Sequence, residues 1–192
     1  MEHHLTESIE DYLKAIYIIG EGKERVTTNA LAKHLDVKPA SVTGMLKKLA
    51  ERQPPLVDYL RHRGASLTDE GLRLGLETIR HHRLLETFLV EILGFEWEEV
   101  HEEAERLEHF ISEKLENRIE ELLGFPSFDP HGDPIPNRDL ELPDCSQTRL
   151  ADLKFGDNLI INRVSHHDPD LLNYLRENQI VPGSKLSIQS YK

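Results

Sequence analysis

The nine residues from 101 to 109, with the sequence HEEAERLEH, hold the densest group of side chains that could do chemistry. In a helix, at about 100° per residue, His101, Glu105, Glu108 and His109 fall within about a quarter of the circumference. Imidazole and carboxylate groups are metal ligands, and this spacing places them side by side. The segment is therefore a candidate metal site, with an ordinary solvated charged face as the alternative.

Apolar residues recur beside this row at intervals of three and four, which predicts one long helix with a buried face. They are Val100, Ala104, Leu107, Ile111, Leu115, Ile119 and Leu122. Carboxylates that border buried surface are costly unless they are paired, and a cation would pair them.

A second imidazole and carboxylate pair precedes this segment in the chain. His82 and Glu86 are four residues apart, so they share one face of a helix that we expect to run from about 69 to 93. A short turn at Gly94 would make the two helices antiparallel and bring the two rows face to face.

The motif of a zinc peptidase is absent from 101–109. H-E-x-x-H fails because Glu105 stands where the second histidine would be, and the inverted motif fails at the same residue. A metallohydrolase therefore stays a minor alternative.

Composition narrows the class of protein. The chain has 192 residues, a formal net charge of −12 and one cysteine, Cys145, so we expect a reducing, cytoplasmic location without intrachain disulfides. No apolar run reaches the roughly 18 residues of a membrane span. Residues 76–145 hold 19 acidic and 6 basic residues, whereas residues 1–75 hold 11 of each, so the first third could still bind DNA.

Residues 27–49 have the pattern of a helix-turn-helix. A short helix from Thr27 is followed by a turn and by Pro39, which suits the first turn of a second helix. The second helix begins with small residues that can approach base edges, and Lys47 lies where it could reach phosphate. A basic hairpin around 61–64 would then be a wing, although any small three-helix domain with an exposed turn shows similar periodicity.

These motifs together resemble the diphtheria-toxin-repressor family of metal-dependent transcription regulators, which includes the manganese transport regulators. The resemblance covers nearly the whole chain and is carried by segments 10–13, 37–49, 64–68, 82–86, 100–109 and 130–136. It implies a mainly α fold: a winged helix-turn-helix domain (1–72), a helical dimerisation and metal domain (73–140), a linker (141–146) and a small β-barrel-like segment (147–192).

The resemblance also implies the residues that function. It assigns Asp11, Glu105, Glu108 and His109 to a primary metal site, and His82, Glu86 and His101 to an ancillary site that Asp168 or Asp170 would complete. Two sites per subunit are therefore expected. The expected DNA contacts are Lys38, Ala40, Ser41, Thr43, Lys47, Arg61 and Arg63.

The ligand types indicate the metal. Where the iron-responsive members have softer or sulfur-bearing ligands, this chain has Asp11 and Glu105, and such oxygen-rich sites favour Mn(II), with Fe(II) second. Lys14 stands where binuclear manganese regulators have a bridging carboxylate, so two separated sites are expected. The family barrel continues beyond Tyr191, so we expect the third segment to be shortened.

The expected function is a homodimeric repressor of metal-uptake genes that binds a palindromic operator when it holds metal. It would be neither an enzyme nor a membrane protein, and it would bind no small organic substrate. A winged-helix regulator that needs no metal, or uses it only for structure, is the main alternative.

Overall fold

The computed structural model describes residues 5–145, 148–154, 156, 158–164 and 169–188. These residues form two compact units, with a boundary between Ile79 and Arg80. The division into three domains predicted from the sequence stays a prediction. None of the helices in the described ranges has the length and apolarity needed to cross a membrane.

The first unit is a helix-turn-helix followed by a β-hairpin, as the sequence predicts. Its elements are α1 (Glu7–Gly20), α2 (Thr28–His34), α3 (Pro39–Ala50), β1 (Val57–Leu60), β2 (Gly64–Leu67) and the first part of α4 (Asp69–Glu91). The side chain of Thr27 caps α2 by accepting from the Ala30 amide at 3.2 Å, and Pro39 stands at the start of α3. The buried residues Leu13, Leu31 and Leu46 anchor the three helices in one core.

The hairpin turns tightly against the rest of the first unit. Strands β1 and β2 are antiparallel, with Val57 opposite Leu67 and Leu60 opposite Gly64. Gly64 has a φ of +97°, and a Cβ there would lie 2.2 Å from the backbone oxygen of Val26. Only glycine fits this place, because both the backbone angle and the contact exclude a side chain.

The second unit contains the rest of α4, then α5 (Val100–Leu107), α6 (Glu113–Leu122), β3 (Asn158–Ile160), α7 (Pro169–Glu177) and β4 (Lys185–Ser187). Leu84, Leu85, Val100, Ala104 and Ile119 form the core between the helices. In the C-terminal part, β3 and β4 form a two-stranded antiparallel sheet, with α7 between them in the chain. The described part of the protein is thus mainly α, with one two-stranded sheet in each unit.

The prediction of one long helix through 101–109 is wrong. Helix α5 ends at Leu107 after eight residues, and α6 begins at Glu113 after a cap in which Ser112 accepts from the Leu115 amide at 3.3 Å. The apolar stripe is divided with it: Val100, Ala104 and Ile119 are buried, whereas Leu107, Leu115 and Leu122 are exposed. The local hydrogen bond of the Ser112 cap outweighs the apolar periodicity, so a new helix begins there.

Two arginines on α4 hold the loop of residues 129–136 against the helices of the second unit. Arg80 donates to the Pro136 oxygen at 2.6 Å and pairs with Glu116 and Glu120, on α6, at 2.5 and 2.8 Å. Arg83 donates to the Pro134 oxygen at 2.5 Å. Buried charges paired in this way orient the backbone they contact, so the loop is fixed in place.

Substituting Gly64 with alanine tests the tight hairpin. Gly64→Ala is expected to lower the free energy of unfolding by about 2–4 kcal/mol, because the new Cβ is strained by the backbone angle and overlaps the Val26 oxygen. Gly44→Ala is the matched control: a Cβ at this helical glycine meets nothing within 4 Å, so stability should rise by up to about 1 kcal/mol. Urea unfolding followed by far-ultraviolet circular dichroism measures both, and equal effects would contradict the argument.

Candidate metal centre

Glu86 is the centre of a buried cluster of imidazoles and carboxylates in the second unit. Its side chain is 1% exposed, and it lies on α4 one turn after His82. His101, on α5, approaches the same oxygen of Glu86 as His82 does. The fold therefore brings together His82, Glu86 and His101, the three residues predicted for the ancillary site.

The three donor atoms of this group form a nearly equilateral triangle. His82 Nε2 lies 3.0 Å from both Glu86 Oε1 and His101 Nδ1, and His101 Nδ1 lies 3.1 Å from Glu86 Oε1. These separations are ordinary hydrogen-bond lengths, and they bring two imidazole nitrogens and one carboxylate oxygen to a single point. A mixed set of nitrogen and oxygen donors of this kind suits a divalent transition-metal ion.

Glu108 determines which ring nitrogen of His82 carries the hydrogen. Its Oε2 lies 2.5 Å from His82 Nδ1, and an ionised carboxylate can only accept a hydrogen bond, so Nδ1 carries the hydrogen when the ring is neutral. The lone pair of His82 Nε2 then points to the triangle. A histidine held by a carboxylate through its other nitrogen is the usual arrangement behind a metal ligand.

A further group surrounds the second oxygen of Glu86. Glu86, Asp129 and His131 each offer a ligand atom, these atoms lie within 4.8 Å of one another, and all three residues are buried. Glu86 Oε2 is 3.7 Å from His131 Nδ1. Asp129 accepts hydrogen bonds from the backbone amides of His131 and Asp133, at 2.8 and 2.9 Å, and these bonds hold the turn of residues 129–133.

The sequence analysis gave Asp129 and His131 no metal role. They lie in the segment Asp129-Pro-His-Gly-Asp-Pro, in which prolines and a glycine indicated only the end of regular structure. The signal was present, since three residues of metal-binding type stand within five positions. A side chain at 132 would meet the Asn162 oxygen at 1.9 Å, so Gly132 allows residues 162–163 to pack on this loop.

Burial and charge shift the pKa values of these groups in different directions. Burial raises the pKa of Glu86, but the charge of His82 and hydrogen bonds from the surrounding imidazoles outweigh it, so this pKa is well below its usual range. Burial, together with the charges of Glu86 and Asp133, raises the pKa of Asp129 to about 7. Burial lowers the pKa of His131, but Glu86 and Asp129 more than compensate, so it is raised overall.

The pKa shifts of Glu86 and Asp129 indicate whether these residues could hold a metal. Burial, and then the nearby charges of Glu86 and Asp133, raise the pKa of Asp129 to about 7, so without a cation Asp129 is partly protonated near neutral pH. A divalent ion would replace that proton and balance both charges. The residues present therefore fit a divalent metal.

The residues predicted for the primary site belong partly to the first unit and partly to the second. Glu108 and His109 are neighbours at the end of α5, with His109 Nε2 3.5 Å from Glu108 Oε1, whereas Glu105 is about half exposed and lies 3.5 Å from His101 Nε2. Asp11 is in α1 of the first unit. The joint site of these four residues stays a prediction.

Asp168 lies outside the described residues. Asp170 is exposed in the first turn of α7 and belongs to none of the groups of potential metal ligands found in the described part of the chain. Its predicted role at the ancillary site stays a prediction.

Most of the predicted DNA-binding residues are exposed in the first unit. On α3, Val42, Leu46 and Leu49 are buried, so the opposite face of the helix points to solvent. Thr43 is half-buried and donates to the Pro39 oxygen at 3.0 Å. The other predicted contacts are exposed: Lys38, Ala40, Ser41 and Lys47 at α3, and Arg61 and Arg63 at the tip of the hairpin.

Comparison with known families covers both units. Residues 4–65 match the N-terminal DNA-binding domain of iron-dependent repressors, residues 68–137 match their metal-binding and dimerisation domain, and residues 148–192 match the FeoA domain. The iron-dependent repressor IdeR of Mycobacterium tuberculosis is 30% identical over 98% of this chain and 86% of its own length. This chain belongs to the iron-dependent repressor family.

Other relatives in the family are named for manganese. The transcriptional regulator MntR of Oceanobacillus iheyensis is 39% identical over 62% of this chain and 80% of its own length. A manganese-dependent transcriptional repressor solved with manganese has a TM-score of 0.89 at 41% identity, covering 96% of this chain and 84% of that one. ScaR with bound Zn²⁺ has a TM-score of 0.81 at 38% identity, covering 96% and 85%. The resemblance inferred from the sequence is confirmed.

Glu86 should be a main support of the metal-free repressor. Because its pKa is depressed below the ordinary 4.5, its stabilising contribution is fully present at pH 7 and is lost only as the pH falls through the depressed value. Glu86→Gln, which leaves the surrounding imidazoles without their buried counter-charge, is expected to lower the free energy of unfolding by about 3–5 kcal/mol at pH 7.

The control is Glu105→Gln, which removes a carboxylate that is about half exposed and should cost about 0–1 kcal/mol. Urea unfolding in the presence of a chelator measures both variants. An equal loss in the two would show that the Glu86 cluster does not hold the metal-free fold.

Proposed function

We propose that this protein is a repressor of metal-uptake genes, activated by Mn(II) or, second, by Fe(II), which binds a palindromic operator as a homodimer. The observation that carries the proposal is the buried cluster around Glu86, which offers two imidazoles to one oxygen and an imidazole and a carboxylate to the other. Such a cluster is costly without a cation and is suited to sense one.

We assign two metal sites to each subunit. The ancillary ion takes its ligands from around Glu86: His82 and His101 on one side, Asp129 and His131 on the other. The primary site is carried over from the family resemblance, with Asp11, Glu105, Glu108 and His109 as ligands. Manganese is the first choice because the ligands of the primary site are rich in oxygen.

The side chains around Glu86 connect the two proposed sites. A bound ion supplies two positive charges among these carboxylates. Glu86 stays ionised and ready to bind, while Glu108 keeps the hydrogen of His82 on Nδ1. The hydrogen bond with His82 also holds the carboxylate of Glu108 in position. Glu108 is a proposed ligand of the primary site, so this hydrogen bond connects the two sites. We propose that Asp11, on α1, carries the metal signal to the DNA-binding unit.

Exposed apolar side chains in the second unit support the homodimer. Phe110 is 72% exposed and Phe125 61%. Large apolar groups at such exposure mark an interaction surface, and they lie within residues 68–137, the range that matches the metal-binding and dimerisation domain. We propose a second copy of this chain as their partner, which would present two winged units to two half-sites.

Operator binding with and without metal is the experiment that tests the proposal. Binding to palindromic DNA at fixed salt should be about 10- to 100-fold tighter with Mn(II) than with chelator, because metal favours the DNA-competent state. Glu86→Gln and Asp11→Asn should remove most of the gain. Lys47→Ala should weaken binding in both conditions, because it removes a phosphate contact.

Each alternative has its own outcome. Equal binding in chelator and in Mn(II) would show a metal-independent winged-helix regulator. Loss of the folded state on chelation, seen by circular dichroism, would show a structural metal. Metal-dependent hydrolysis would show a metallohydrolase. His82→Gln and His131→Gln, compared in the same assay, show which side of Glu86 supplies the ligands.

Metal affinity should rise with pH across neutrality. A metal ion displaces the proton of Asp129, whose pKa is raised to about 7, so Asp129 alone should increase the apparent affinity about tenfold between pH 6 and 8. The raised pKa of His131 acts in the same direction. Competition with a fluorescent chelator of known affinity at each pH measures this, and an affinity independent of pH would exclude Asp129 as a ligand.

A further inference from the structure

Trp97 lies directly against His131. The two rings are stacked, with centroids 5.3 Å apart and planes 22° apart, and the backbone oxygen of Trp97 is 3.1 Å from His131 Nε2. His131 is 0% exposed and Trp97 9%. One residue therefore holds the imidazole both by its face and by one of its nitrogens.

The backbone contact determines which nitrogen of His131 can bind metal. A carbonyl oxygen only accepts hydrogen bonds, so His131 Nε2 must carry a hydrogen. In the neutral ring the lone pair is then on Nδ1, the atom that lies 3.7 Å from Glu86 Oε2. The ring is thus oriented with its ligand atom toward the carboxylates before any ion arrives.

We propose that Trp97 is a positioning residue for the metal site around Glu86. Its backbone oxygen sets the tautomer of His131 and its indole ring, which the variants below change, sets the plane of the imidazole. Both effects raise the affinity of that site for a divalent ion. The inference rests on the proposed function, because it requires that His131 binds metal. It adds a residue that touches no ligand atom of the site and that has no metal-binding side chain of its own.

The C-terminal part of the second unit keeps Trp97 in place. Arg176, on α7, pairs with Glu96 at 2.6 Å and with Glu98 at 2.7 Å, on both sides of Trp97. Leu172, also on α7 and 1% exposed, forms an apolar cluster with Trp97 and Val164.

The same region also holds the histidine. The amide of Val164 donates to the His131 oxygen at 3.0 Å. Metal affinity around Glu86 should therefore depend on α7, although Arg176 is not a proposed ligand.

Trp97 is the single tryptophan of the chain, so its fluorescence reports this site. Mn(II) is paramagnetic and quenches a nearby indole. Titration with Mn(II) at pH 7.5 should quench the emission with one bound equivalent, and His131→Gln should abolish the quenching while Mn(II) still binds elsewhere on the chain.

Variants at 97 and 176 separate positioning from structure. The number of Mn(II) ions bound per chain is measured from the electron paramagnetic resonance signal of free Mn(II). Trp97→Phe, which keeps a stacked ring, should bind within about twofold of wild type, whereas Trp97→Leu should lose affinity at one site by about 10- to 100-fold. Arg176→Gln should weaken the same site several-fold. The control is Arg118→Gln, at an arginine that pairs with Glu121 on α6 and is 73% exposed, which should change nothing.

The outcomes distinguish this inference from the proposed function. If wild type binds no Mn(II), both fail. If wild type binds Mn(II) and responds on DNA, but Trp97→Leu and Arg176→Gln bind equally well, the positioning role alone is wrong. Circular dichroism melts without metal identify a variant that merely unfolds. If Trp97→Leu does not fold, Arg176→Gln, at a side chain that is 42% exposed, decides the question: unchanged affinity would overturn the positioning role.

Discussion

The structure of the second unit depends on one buried negative charge, the carboxylate of Glu86. It is 1% exposed and is stabilised by imidazoles from α4, α5 and the 129–133 loop. A charge at this depth can exist only if its partners are in place, because desolvation would otherwise protonate it or unfold its surroundings. Three separate segments of the chain are thereby held at one point. The side chains that could bind a metal are therefore the same ones that hold the local fold together.

The arginines of α4 supply hydrogen-bond donors to the buried loop of residues 129–136. Residues 129–136 contain no regular structure, yet Asp129, His131 and Asp133 are buried. Arg80 and Arg83 satisfy the Pro136 and Pro134 oxygens, and Asp129 satisfies amides within the loop. Because these polar groups are paired, the loop can stay inside the protein and present His131 to Glu86 without a helix or strand to support it.

Relatives of this chain are named for iron and for manganese. The three donor atoms of His82, Glu86 and His101 lie 3.0–3.1 Å apart, so two nitrogens and one oxygen meet at one point. Both metals accept imidazole and carboxylate ligands, and this donor set is common to them. Intrinsic affinity favours zinc over manganese at such a site, so selection between metals must come from the complete set of ligands and from the supply of each metal.

The sequence by itself determined the features that depend on neighbouring residues: the helix-turn-helix, the hairpin, the pair His82 and Glu86 on one helix face, and the family. Periodicity, caps and motif spacing are local, and they survive in almost any packing. It could not show that the helix through 101–109 ends at Leu107 and a new one begins after Ser112, or that His131, 45 residues after Glu86, comes to lie beside it. Only the tertiary structure decided this, because the partners of a buried charge are the groups closest to it in space. These groups come from segments whose separation along the chain follows no helical or strand period.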